Sequence, residues 1–107
     1  MNPGVLRHRI TFLHMVEKEN EVGDTVFVEE PFKTVWASVE PLRGRDYFEA
    51  RKIQSEATHK ITIRYLPGVT PDMKIEFKGR MFEIEGPPIN PGERNRFLEI
   101  LAKEKVT

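Results

Sequence analysis

Along this chain apolar and polar residues alternate with a period of two, in short runs that Gly, Pro or charged clusters cut off before they lengthen. Only an extended strand puts successive side chains on opposite faces, so each run predicts a half-buried strand. Leu6, His8, Ile10, Phe12, His14 and Val16 share one parity, with Arg7, Arg9 and Thr11 between them, which predicts a strand over residues 6–16. The charged run from Glu17 to Asp24 contains Asn20 and Gly23, where turn conformations cost little, and reads as a hairpin connection. Thr25 to Glu30 and Thr34 to Glu40 are β-favouring runs on either side of Pro31, which cannot donate to a ladder. They predict one strand and its continuation around a bend, ended by Pro41.

The segment from Leu42 to Thr58 breaks the pattern, being charged, without a period of two, and containing several helix formers. It predicts a short helix or a long mobile loop. Alternation returns from Thr58 to Leu66, with Ile61, Ile63 and Tyr65 on one face and Lys60, Thr62 and Arg64 on the other, which predicts a strand. Pro67-Gly68 marks a turn, and Thr70 before Pro71 is an N-cap candidate for a single helical turn. Lys74–Phe77 and Arg80–Glu85 flank Lys78-Gly79 as the two arms of a hairpin. Residues 86–95 are dominated by turn formers and are expected to lack regular structure, and Arg96–Ala102 is the closing strand. Six or so short strands predict an all-β fold, a small single-domain β-barrel over residues 1–107 with a long loop or short helix inserted between strands. Trp36, the only tryptophan, stands mid-strand and is expected to anchor the core, at a cost of about 3–5 kcal/mol if truncated to Ala.

Composition bears mainly on function. There are 17 basic and 17 acidic residues, so no net field draws the chain onto nucleic acid or an anionic membrane. The absence of cysteine excludes disulfides, thiolate metal sites and cysteine nucleophiles, and is compatible with a reducing cytoplasm. The start of the chain lacks the apolar run of a signal peptide and no stretch has the length of a membrane span, so no membrane association is expected. With 38% hydrophobic residues, little apolar surface is left over for an obligate interface, and the free protein is expected to be a monomer.

No constellation predicts catalysis. His8 and His14 are six residues apart, about 20 Å along a strand, too far to grip one ion. Glu76, Glu83 and Glu85 alternate with Ile75, Phe77, Phe82 and Ile84, the pattern of a solvated face over a buried one. No phosphate loop, serine elbow or zinc spacing occurs, so an enzyme, a cofactor and a metal are not expected. Arg43, Arg45, Arg51 and Lys52 beside Tyr47 and Phe48 have the chemistry of a nucleic-acid contact, basic groups for phosphate and aromatic faces for bases. Asp46, Glu49 and Glu56 reduce their net charge to +1, too little for appreciable DNA affinity in a monomer.

Four stretches in order, Met1–Ile10, Val35–Ala50, His59–Tyr65 and Asn90–Asn95, closely resemble the head-tail joining proteins of tailed phages, also called head-completion, head-closure or stopper proteins. The resemblance spans nearly the whole chain. It implies a small β-barrel that is a structural part of the virion of a tailed phage or prophage, made in the host cytoplasm. The barrel would assemble as a homo-oligomeric connector ring under the portal and its adaptor, close the DNA exit channel after packaging, and offer an attachment surface to the tail-completion protein. It further implies that the loop closing the channel is the stretch from Leu42 to Thr58. The channel residues would then be Arg43, Arg45, Asp46, Tyr47, Phe48, Glu49, Arg51 and Lys52, meeting the packaged DNA end without sequence specificity. That stretch is expected to be poorly ordered in the monomer, since seven charges in 17 residues bury too little to offset ordering. A nucleic-acid-binding barrel of the OB or SH3-like kind would also have short strands and aromatics, but the neutral charge argues against it.

Overall fold

The computed structural model describes residues 6–105, so Met1 to Val5 of the first matching stretch lie outside the described residues. Among the described residues there are six strands: β1 (His8–Glu19), β2 (Thr25–Pro41), β3 (His59–Arg64), β4 (Lys74–Phe77), β5 (Arg80–Ile84) and β6 (Phe97–Lys105). They hydrogen-bond in the order β1-β2-β3-β6-β5-β4, and β4 returns to β1 to close an antiparallel barrel. Closure pairs every strand on both sides over part of its length. One helix, α1 (Gly44–Lys52), is inserted between β2 and β3. Among the described residues no helix is long and apolar enough to cross a membrane.

The inward parity of each strand builds the core. Ile10 and Phe12 of β1, Ile61 and Ile63 of β3, Ile75 of β4, Phe82 of β5 and Ile100 of β6 are all fully buried. Phe12 is opposite Lys33 in one ladder and Ile75 in the other, at the seam where the barrel closes. Glu76 is exposed, and Glu83 and Glu85 are only partly covered, so the alternation with buried apolar neighbours is that of a solvated outer face.

The bend expected at Pro31 is a β-bulge. Phe12 pairs with Lys33 and Leu13 with Pro31, which leaves Phe32 as the extra residue on β2. A residue without a donor is tolerated at a break in the ladder, and Phe32 packs against the core, as Leu66 and Val69 do. At the β4–β5 turn both Lys78 (φ +50°) and Gly79 (φ +79°) are left-handed, the conformation a two-residue hairpin of the right twist demands.

Three expectations are corrected. Trp36 is not in the core: it is 52% exposed, on the outer face opposite Arg9, whose guanidinium lies 5.0 Å from the indole centroid. Strand parity decides this, because Val35 and Ala37 take the inward positions opposite Ile10 and His8. Trp36→Ala is therefore expected to change stability by less than about 1 kcal/mol, measured by thermal unfolding. Tyr65 lies past the end of β3 and is exposed, and Thr62, on the face opposite Ile61 and Ile63, is also buried, between Ser38 and Glu99 in a central row of the sheet. Pro71-Asp72 forms a hydrogen-bonded turn, Met73 N to Thr70 O at 3.1 Å, and not a helical one. Residues 86–95 are irregular except for a 3-10 turn at Pro91–Glu93 and a bridge from Ile89 to Glu99.

β1 and β2 outrun the barrel. β4 pairs with β1 only at Thr11–Leu13, and β3 pairs with β2 only at Ala37–Pro41, yet β1 and β2 remain paired as far as Glu19 and Thr25. The distal half of the hairpin thus projects as a two-stranded arm, consistent with a molecule measuring 52 × 27 × 26 Å.

Candidate functional site

The stretch singled out in the sequence is pinned at both ends to the barrel. Leu42 N donates to Thr58 O at 2.9 Å, and Thr58 N donates to Ala102 O at 2.8 Å on β6. Between these ties the chain takes the short-helix alternative of the two expected, as a nine-residue helix. Gly44 opens it with φ +56°, which only glycine adopts freely, after the extended Arg43. Asp46 in the first turn and Arg51 and Lys52 in the last oppose the helix dipole. The end is a Schellman motif: Ser55 N reaches Ala50 O at 2.9 Å and Gln54 N reaches Arg51 O at 3.0 Å, with Gln54 left-handed at φ +59°. Arg51 braces the descent, donating to the carbonyls of Ser55 (2.7 Å) and Ala57 (3.0 Å) while its guanidinium lies 4.5 Å from the Tyr47 ring. Local bonding of this kind orders a segment that buries little.

All eight predicted residues stand on α1 or its N-cap, and all are exposed. Only Ala50 of the helix is buried. Tyr47 and Phe48 meet edge to face at 5.6 Å, and Phe48 and Ile53 remain largely in solvent at 65% and 72% exposure. Lys60 reaches Asp46 at 3.5 Å across an open groove of about 310 Å³ between the helix and the barrel wall, lined also by Glu49, Ile53 and Ile89. The helix therefore rests on the wall without sealing against it, and it presents apolar side chains that the monomer does not cover.

At the foot of this segment a polar network ties β3, β5 and β6. Arg80 forms a two-pronged ion pair with Glu104 (2.8 and 2.9 Å) and approaches His59 Nε2 at 3.4 Å. A guanidinium can only donate, so Nε2 accepts and Nδ1 carries the proton, donating to Thr58 Oγ1 at 2.8 Å. Burial, then the Arg80 charge, lowers the His59 pKa below its ordinary 6.5. The unfolded chain takes up this proton first as pH falls, so stability drops as pH descends through 6.5 toward the lower folded value. A second loss follows below 4.5, because the hydrogen bond from Arg80 lowers the Glu104 pKa. His59→Gln is expected to abolish the upper slope in a plot of melting temperature against pH and to keep the lower one. The histidines are otherwise held by aromatic contacts, His8 on Phe77, His14 on Phe32 and His59 on Phe82, at 5.1–5.5 Å between ring centroids.

The model of the phage head completion proteins matches residues 1–105. The chain belongs to this family. Head completion protein gp16 of Bacillus phage SPP1 is 24% identical over 95 residues, covering 89% of this chain and 87% of that relative. The solution structure of protein SF1141 from Shigella flexneri 2a superposes with a TM-score of 0.79 at 29% identity, over 99% of this chain and 98% of that one. A chain in the virion of a native gene transfer agent particle shares the fold, with a TM-score of 0.58 at 16% identity over 95% and 97% of the two chains. As a head completion protein, the chain is a structural component of the phage virion.

Sequence reasoning missed the outer face of the hairpin arm. Phe27 is 66% and Met15 50% exposed there. β1 runs on to Glu19, into the acidic stretch Glu17 to Asp24 expected to be only a connection, and that run of charge is the sequence signal of a solvated arm.

Proposed function

We propose that residues 1–107 act as one head-tail joining domain that assembles into a connector ring, closes the DNA exit channel after packaging and gives the tail its attachment surface. The observation that carries this reading is α1: an ordered segment pinned to the barrel at both ends, with Tyr47, Phe48 and Ile53 exposed. A ring repeats that segment around its axis, where apolar side chains left open in one copy can be covered by the next. Arg45 and Arg51 can pair with Asp46 and Glu49 of an adjacent copy, and the small positive excess faces the phosphates of the DNA end without gripping it. Barrel faces away from α1 are left for the portal or its adaptor on one side and the tail-completion protein on the other. The subunit waits in the host cytoplasm as a monomer until those partners are in place.

Electron microscopy of particles from a strain lacking this gene tests the reading. DNA-empty heads beside free tails are expected, and filled heads with tails attached would overturn it.

A further inference from the structure

Charge is balanced over the chain but not over the molecule. The arm and its turn, residues 14–30, hold Glu17, Glu19, Glu21, Asp24, Glu29 and Glu30 against the single cation Lys18, a net charge of −5. The chain as a whole is neutral, so the remainder carries +5. An elongated molecule with an acidic projection and a basic body is complementary to a second copy of itself placed head to tail.

The body offers a place for the arm. β2 separates from β3 beyond Ala37, so on the body the main chain of β2 from Pro31 to Trp36 has a free edge, among the described residues, on the side away from β1. Where the strands part there is a groove of about 300 Å³ lined by Thr34, Val35, Trp36, Arg64, Tyr65 and Leu66. Trp36 and Tyr65 are exposed on it, and Arg9 lies over the indole. Arg96 adjoins, its carbonyl accepting from Tyr65 N at 2.9 Å. Among the described residues Arg9, Arg64 and Arg96 have no carboxylate within ion-pair distance. A free strand edge beside cationic and aromatic side chains fits an acidic extended segment that adds to the sheet. The arm is such a segment, and its exposed Met15, Val22 and Phe27 supply apolar contacts for Trp36 and Tyr65.

We infer that the acidic β1–β2 arm of one copy docks in the Trp36–Arg64–Tyr65 groove of the next, in a head-to-tail contact. Such a contact uses two different surfaces and propagates, as a ring requires. The inference rests on the ring reading and deepens it by naming the surface through which copies meet. The contact is weak in isolation and is strengthened by closure of the ring.

Sedimentation equilibrium of the full chain at about 1 mM protein in about 0.05 M salt tests it, with an arm variant (Glu17→Gln, Glu19→Gln, Glu21→Gln) and a groove variant (Arg9→Gln, Arg64→Gln). All these positions are exposed, and circular dichroism checks that both variants fold. The wild type is expected to associate beyond dimers, and about 0.5 M salt to weaken this at least tenfold. Each variant alone is expected to be monomeric. Their equimolar mixture is expected to stop at a 1:1 heterodimer, since one intact arm and one intact groove remain. A monomeric wild type, variants that associate like the wild type, or a monomeric mixture would each overturn the inference. So would a short DNA duplex whose binding is lost in the groove variant while self-association persists, because the groove would then belong to nucleic acid. Tailed, filled particles from a strain lacking the gene would instead overturn the ring reading, whatever the association measurements give.

Discussion

Deletion of Arg45 to Gln54 is expected to leave a folded barrel and to cost the phage most of its DNA-filled heads. The deleted stretch places one side chain, Ala50, among the buried residues, and the thirteen-residue cluster that fills the barrel includes none of it. Its ends need not move, because Leu42 and Thr58 are already hydrogen-bonded to each other at 2.9 Å. Shortening a surface loop between fixed ends changes closure entropy only logarithmically, so the loss in stability should stay within about 2 kcal/mol. In the particle the same deletion removes every residue proposed to reach the channel except Arg43. Circular dichroism of the variant and counts of filled heads after packaging check the two halves separately. Normal retention of DNA would refute channel closure by this segment, and loss of folding would show that α1 supports the barrel.

Phe12→Ala is expected to destabilise the protein by about 3–5 kcal/mol, enough to unfold much of a domain whose whole stability is about 5–15 kcal/mol. Phe12 is fully buried, and its strand is paired on both sides at that point, with Lys33 of β2 and Ile75 of β4. A cavity there lies at the closing seam, where β4 contributes only Lys74–Phe77 and can do little to refill it. Urea unfolding compared with Trp36→Ala gives the measurement. The contrast matters as much as the magnitude, since the larger aromatic residue is expected to cost less because it stands outside the barrel. Equal effects from the two substitutions would contradict the strand parity on which the barrel is built.

Much of this was legible in the chain. Strands alternate because the backbone does, so Ile10, Phe12, Ile75, Phe82 and Ile84 announced their buried face and Glu76 and Glu83 their solvated one. Pro31, Pro41, Lys78-Gly79 and the break in pattern after Leu42 marked where strands bend or stop, because each restricts or frees a backbone dihedral locally. The stretch from Leu42 to Thr58 was likewise visible, though its order was not. That order depends on the Arg51 brace and on ties to Thr58 and Ala102, which are contacts made in space.

Local pattern alone determined an all-β chain of short strands with one exceptional insert. Tertiary structure alone decided on which side of the wall Trp36 stands, why Thr62 is buried, and how far the β1–β2 hairpin runs past its neighbours. Period two divides residues into two faces without saying which encloses the core, and ladder length depends on where remote strands end. The same holds for charge: composition sums to zero, while the fold carries −5 to the projecting arm and +5 to the body, because a sum over a sequence contains no distances.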